Sequence, residues 1–307
     1  MAYYIGVDIG GTNIKTGIVD STGNIISESS VPTGADRPQD IVLKDILSAV
    51  KNSIEASKLD PKEILAVGLG SPGAIDTENG IVIRNYNLGW KDFHICEKIS
   101  GELKIPAKLA NDADAAALGE VVSGSAKGAK RALIITLGTG VGTGVVVNEK
   151  ILPGEFGHMV IAYGARQCTC GAKGCFEAYS SATGLINMTK EAIAKHPGGV
   201  LADTAKLEGE VSGRTVFDAA EKCDEIAKKV IDEYLEYLAC GIANLINGLQ
   251  PEVVSLGGGI AKQGEKLLAP LRVKVEREVF KGLKLPKIVC CTLGYKAGVI
   301  GAAMAAR

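Results

Sequence analysis

One imidazole and three thiols, His158, Cys168, Cys170 and Cys175, fall within 18 residues. That spacing suits closure around one tetrahedral ion. A Cys3His set with no spare ligand is the donor set of a structural zinc rather than a catalytic one. Gly171 and Gly174 supply the tight turns that such closure needs. Two carboxylates, Glu155 and Glu177, flank the loop, so a metal that fixes the loop also fixes the polar groups it carries. Buried free thiols would not need glycines between them, and Cys168 and Cys170 are too close in sequence for an easy disulfide. The segment reads as a zinc-stapled substrate loop.

Three glycine turns follow apolar runs: Gly10-Gly11 after Tyr3–Asp8, Gly138–Gly144 after Ala132–Leu137, and Gly257–Gly259 after Glu252–Leu256. Without a Cβ, the backbone N–H groups there can approach a polyphosphate closely. No G-x-x-x-x-G-K-[ST] pattern is present, and G-T-G-V-G-T-G departs from G-x-G-x-x-G at Thr143. Asp8 stands beside Gly10. A carboxylate next to phosphate-binding backbone is repulsive unless a cation intervenes, which predicts Mg²⁺ held by Asp8 directly or through water. Asn111-Asp112 follows the apolar run Ala107–Ala110 and opens a helix. Aspartate there can be a cap. In the company of three glycine turns, Asp112 is the candidate base that receives a hydroxyl proton.

The elements that position these groups repeat. Strand, glycine turn and strand occur at Tyr3–Asp20 and again at Ala132–Val147, which predicts a duplicated domain whose glycine turns face each other across a cleft. Ile41–Leu59 and Asp112–Ser123 read as helices, and Asn79-Gly80 as a hairpin turn. Asp218–Leu249 reads as one long amphipathic helix stopped by Pro251, Gly298–Arg307 as a small-residue helix, and His196–Gly213 as a mobile loop. Alternating strands and helices predict an α/β fold.

The chain has 307 residues, 46% of them hydrophobic, enough for a large core and two lobes. A net charge of -1 provides no field for nucleic acid or an anionic membrane. No apolar run approaches the ~18 residues of a membrane span, and no signal-peptide pattern opens the chain. With eight cysteines, these features predict a cytoplasmic protein. The cysteines outside the metal set, Cys96, Cys223, Cys240, Cys290 and Cys291, are expected to be packed hydrophobes.

Taken together, the motifs resemble the ROK family of sugar kinases and regulators, within the hexokinase–actin–Hsp70 ATPase superfamily, along the whole chain. Asp8–Lys15 is similar to the first phosphate motif, Leu137–Gly144 to the second, and Gly257–Ile260 to the adenosine motif. Gly154–His158 and Cys168-x-Cys170-Gly171-x-x-Gly174-Cys175-x-Glu177 resemble the sugar and zinc signature, and Ser71–Gly73 and Asn87–Trp90 resemble segments near the sugar.

The resemblance implies duplicated ribonuclease-H-like, actin-like ATPase domains. A smaller lobe would comprise 1–110 plus 295–307, and a larger lobe 111–294 with the zinc loop at 158–175. ATP contacts would come from Asp8, Gly10, Gly11, Thr12, Asn13, Lys15, Gly138, Thr139, Gly140, Gly258 and Gly259. Sugar contacts would come from Gly73, Asn87, Asn111, Asp112, Glu155, His158 and Glu177, with Asp112 as the base. His158 would have one nitrogen on zinc and the other toward the sugar, as ligating histidines use both. The implied reaction is ATP-dependent phosphorylation of D-glucose at the 6-hydroxyl. Kinases for N-acetylmannosamine, fructose or allose are the alternatives, with a sugar-sensing protein as the non-enzymatic one. The family's repressors carry a winged helix before the first phosphate motif. Here that motif begins at Asp8 and the phosphate machinery is intact, which points to the kinases. A homodimer or homotetramer is expected.

Overall fold

The computed structural model describes residues 2–35 and 37–307. The chain begins with β1 (Tyr3–Ile9), β2 (Asn13–Asp20) and β3 (Ile25–Pro32), then α1 (Gln39–Ser57) and β4 (Ile64–Ser71). A small sheet follows, β5 (Ala74–Asp76), β6 (Ile81–Asn85) and β7 (Trp90–Phe93), then α2 (Ile95–Leu103), β8 (Ala107–Asn111) and α3 (Asp112–Ser123). The pattern restarts with β9 (Arg131–Leu137), β10 (Val141–Val147) and β11 (Lys150–Leu152). Helices α4 (Phe176–Ser180), α5 (Ala182–Lys195), α6 (Val200–Glu208), α7 (Thr215–Glu221) and α8 (Glu225–Leu249) come next. The last elements are β12 (Val253–Gly257), α9 (Gly258–Ala261), α10 (Glu265–Glu278), β13 (Lys287–Cys290) and α11 (Lys296–Ala305).

Two five-stranded sheets have the same plan, β3-β2-β1-β4-β8 and β11-β10-β9-β12-β13. In the first, β1 runs antiparallel to β2 and parallel to β4, and β4 runs parallel to β8. The internal repeat is thus a repeat of sheet topology, and the α/β expectation holds.

By its contacts the chain divides into two compact units: Met1–Ala132 with Gly144–Pro153 and Thr292–Arg307, and Leu133–Thr143 with Gly154–Cys291. In the first unit, β1 and β4 bury Ile5, Val7, Ile9, Val67 and Leu69 against Val42, Ile46 and Val50 of α1. These three helix residues recur every four positions and so lie on one face. Trp90 and Phe93 meet edge to face at 5.0 Å beneath the small sheet. α11 packs backbone to backbone: a side chain at Gly68 would collide with the Ala302 carbonyl, and one at Gly301 with the Ala115 carbonyl. The small-residue run of α11 is therefore the surface that lets it lie directly on β4 and α3.

Glu120 of α3 is 1% exposed. Its carboxylate accepts from the N–H and hydroxyl of Ser125, each at 2.7 Å, and from the N–H groups of Thr292 and Leu293 at 3.1 and 2.9 Å. A buried carboxylate satisfied this way by donors ties the approach to α11 onto α3.

Three expectations are corrected. Asp218–Leu249 is two helices, because Cys223 takes a left-handed φ of 63° and Asp224 starts α8 anew, its side chain accepting from Ala227 N–H at 2.8 Å. His196–Gly213 is not a loop throughout. Between Gly199 and Gly209 lies α6, which buries Leu201, Ala202 and Thr204. The cysteines are not uniformly packed either. Cys96 is buried, and burial pushes its thiol up to about 12, but Cys223 is exposed and Cys240, Cys290 and Cys291 are half-buried.

Candidate active site and metal centre

In the first unit the candidate residues collect at the carboxyl ends of three parallel strands, where open α/β sheets bind ligands. Asp8 of β1 is in register with Gly70 of β4, and Ser71 of β4 with Asn111 of β8. Asn111 caps α3, its side chain accepting from Ala113 N–H at 2.9 Å. Asp112, the first helical residue, accepts from the same N–H at 2.9 Å. The capping role is therefore already filled by Asn111, which separates Asp112 from the purely structural reading of a helix-start aspartate.

Asp8 lies near Asp112 and near its register partner Lys15. Burial, opposed by Lys15 and reinforced by the Asp112 charge, raises the Asp8 carboxyl from 3.8 to about 6. Part of that burial comes from α11. Gly298 lies over the carboxyl group, and a Cβ there would sit 2.7 Å from the Asp8 carboxyl carbon. A desolvated carboxylate beside a second carboxylate is the environment a divalent cation relieves.

The turn after β1 is held by Gly10 N–H donating to Asn13 O at 3.0 Å and by the Thr33 hydroxyl donating to Gly10 O at 2.6 Å. Gly11, Thr12 and Asn13 are left exposed. Gly73 adopts φ 101°, with the Arg84 carbonyl where a side chain would be. Asn85, 1% exposed, donates to Pro72 O at 3.0 Å and accepts from the N–H groups of Asn87 and Leu88 at 3.0 and 3.1 Å. It thereby joins the two candidate sugar segments around Gly73 and Asn87.

In the second unit, Gly138–Gly140 closes on itself through Gly138 N–H donating to Gly140 O at 3.0 Å. The start of α5 supports it: Ala182 N–H donates to Gly138 O at 2.8 Å and the Thr183 hydroxyl to Thr139 O at 2.7 Å. Gly258, with φ 86°, lies on the end of β9, paired with Leu137. The Gly259 backbone has open space around it.

Glu177 links the second glycine turn to the cysteine loop. One carboxylate oxygen accepts from Val141 N–H at 3.1 Å, and a side chain at Gly140 would strike that oxygen. The other lies 3.2 Å from the Thr169 hydroxyl, 3.5 Å from Cys168 Sγ and 4.0 Å from His158 Nδ1. Glu155 is exposed and immediately precedes the short turn Phe156–His158.

The donor atoms of His158, Cys168, Cys170 and Cys175 all lie within 4.8 Å of one another. Cys168 Sγ is 3.7 Å from His158 Nδ1, and Cys170 Sγ is 3.7 Å from Cys175 Sγ. Donors around a tetrahedral zinc, with Zn–S near 2.3 Å, stand about 3.8 Å apart, so the set fits that ion. The hairpin around the cysteines turns at Gly171, φ 95°, with Cys168 N–H donating to Ala172 O at 2.9 Å. Burial raises the Cys168 thiol, and raises Cys175 to about 12, while backbone donation from Ala172 lowers Cys170. His158 turns Nδ1 toward Cys168.

Sequence reasoning missed Asn85, Thr33 and Thr183. None carries a motif, and each acts by bonding backbone that is distant in sequence. Only their small polar character between apolar runs could have flagged them.

A model of the ROK family matches residues 4–307. A glucokinase of Halalkalibacterium halodurans is 37% identical, over 97% of this chain and 93% of its own length. The crystal structure of a ROK family glucokinase from Streptomyces griseus, in complex with glucose and AMPPNP, superposes with a TM-score of 0.78 at 32% identity, covering 100% of this chain and 99% of that one. A ROK hexokinase from Thermus thermophilus gives 0.85 at 30% identity, over 99% and 97%.

Proposed function

The chain belongs to the ROK family, and from that premise we propose that it is an ATP-dependent glucokinase, transferring the γ-phosphoryl group of ATP to the 6-hydroxyl of D-glucose. The observation that carries this reading is the company Asp112 keeps. A carboxylate not needed as the helix cap stands at the strand edge that also holds Asp8 and the first glycine turn.

Asp112 accepts the proton of the sugar hydroxyl as the phosphoryl group moves. A carboxylate is a weak base toward a ground-state alcohol. It suffices because phosphoryl transfer is loose and the alcohol acidifies late. Gly10, Gly11, Thr12, Asn13 and Lys15, with Gly138, Thr139 and Gly140, bind the phosphates, and Gly258 and Gly259 the adenosine. Asp8 would hold Mg²⁺, directly or through water, and the ion would neutralise phosphate charge. Gly73, Asn87, Asn111, Glu155, His158 and Glu177 hold the sugar hydroxyls. His158, Cys168, Cys170 and Cys175 would hold a structural zinc, which would keep His158 and Glu177 in place. Reduced thiols and ATP as the donor both suit the cytoplasm; among the described residues no helix is long and apolar enough to cross a membrane.

The direct test is ADP release with ATP and Mg²⁺ across glucose, N-acetylmannosamine, N-acetylglucosamine, mannose and fructose. Preference for glucose is expected. Preference for another sugar would keep the mechanism and change the substrate, and no sugar-dependent ADP would overturn the reading.

A pH dependence follows from Asp8. Its folded value of about 6 lies above the ordinary 3.8, so the folded protein binds this proton more tightly than the unfolded chain does. That contribution to stability is present below 3.8 and lost as pH rises through about 6. A cation at Asp8 must displace the proton. Affinity for Mg-AMPPNP, measured calorimetrically, is therefore expected to be flat above about pH 7 and to fall about tenfold per pH unit well below about 6. An unchanged affinity at about pH 5 would remove Asp8 from cation binding.

A further inference from the structure

Tyr295, at the start of α11, has no role in the reading above. Its side chain is 55% exposed, and Lys15 Nζ sits 5.1 Å from its ring centroid. Lys296 Nζ reaches the same ring at 5.9 Å. Lys15 is the direct cross-strand partner of Asp8. Directly opposed residues of antiparallel strands share a face and stand close enough to pair. Lys15 nevertheless acts on Asp8 only through space; among the described residues no ion pair joins them, and the ammonium lies over the aromatic ring instead. The reason is the placement of α11. Gly298 packs on the Asp8 carboxyl group, and Tyr295 is one helical turn earlier on the same face. The helix that desolvates Asp8 thereby presents an aromatic ring to the lysine opposite it.

The choice of partner matters chemically. A carboxylate would neutralise the lysine and be neutralised by it. An aromatic face attracts the ammonium through its quadrupole and leaves the net charge intact. We propose that Tyr295 is a positioning residue for the phosphoryl donor: its ring holds the Lys15 ammonium beside the first glycine turn and off Asp8. Lys15 then remains available to phosphate oxygens and Asp8 to the divalent cation. Tyr295 itself touches no reacting atom. The proposal rests on the ATP-dependent reading above and deepens its donor site.

The test compares wild type with Tyr295→Leu and Tyr295→Phe, in steady-state kinetics and in calorimetric binding of Mg-AMPPNP without sugar. Tyr295 is exposed enough that leucine leaves no buried cavity. Tyr295→Leu is expected to raise the KM for Mg-ATP and the Kd for Mg-AMPPNP about fivefold, the order of one cation–π contact, with the KM for glucose unchanged. Tyr295→Phe keeps the ring and restores the affinity lost in the leucine variant. In a Lys15→Met background, Tyr295→Leu should add no further loss, since the two residues act as one unit. Wild-type affinity in Tyr295→Leu, or a phenylalanine variant as impaired as leucine, would overturn the proposal while leaving the kinase reading intact. A wild-type protein that binds Mg-AMPPNP without phosphorylating sugar would sink the kinase reading, and the binding comparison would still decide the role of Tyr295. No Mg-AMPPNP binding by the wild type would overturn both.

Discussion

Asp112→Asn is expected to lower kcat about 100-fold or more, the usual contribution of a positioned general base, with the KM for glucose nearly unchanged. The substitution is unusually clean in this structure. Asn111 supplies the helix cap, and an asparagine at 112 retains an oxygen that can accept from Ala113 N–H as Asp112 does. α3 therefore keeps its start, and a loss of rate reports on the proton rather than on the fold. The Asp112 charge is also one of the causes that raise Asp8. Its removal should let Asp8 ionise at lower pH, so affinity for Mg-ATP should hold or improve while turnover collapses. That opposition, read from steady-state kinetics with glucose and ATP varied independently, separates a catalytic base from a residue that only shapes the site. A variant with near-normal kcat would remove Asp112 from the role.

Cys170→Ala should cost the protein its zinc and, with it, glucose affinity by at least about tenfold, as loss of groups that orient a metal site's neighbours commonly does. Cys170 is the exposed thiol of the four candidate ligands, so truncating it removes a ligand without opening a cavity. The consequence travels through Glu177, held between the Cys168–His158 side of the site and the N–H of Val141. Once the loop is loose, the carboxylate keeps only its contact with the glycine turn. Zinc content by elemental analysis and glucose binding by calorimetry check the two halves. Glucose affinity that survives without zinc would mean that the loop orders itself.

Much of the candidate site was legible because its signals are local. The four candidate metal ligands lie within 18 residues of one another in the sequence, and the glycine turns follow directly on the strands that carry them. What was missed is long-range. The helix over 200–208 was hidden by its flanking glycines, which are in fact its boundaries, and the break at Cys223 depends on an Asp224 side chain that also accepts from Leu201 N–H.

The sequence by itself determined the α/β repeat, the family, the candidate donor set and the candidate base, since periodicity, turn chemistry and ligand spacing are properties of short stretches. The tertiary structure alone decided the electrostatics. Asp8 becomes a weak acid because Gly298 covers it and Asp112 stands near. The Lys15 ammonium lies over the Tyr295 ring because the approach to α11 brings that ring to it. Glu177 meets the second glycine turn because Gly140 leaves room. Desolvation and charge proximity depend on which distant segments pack together, and no local pattern encodes that.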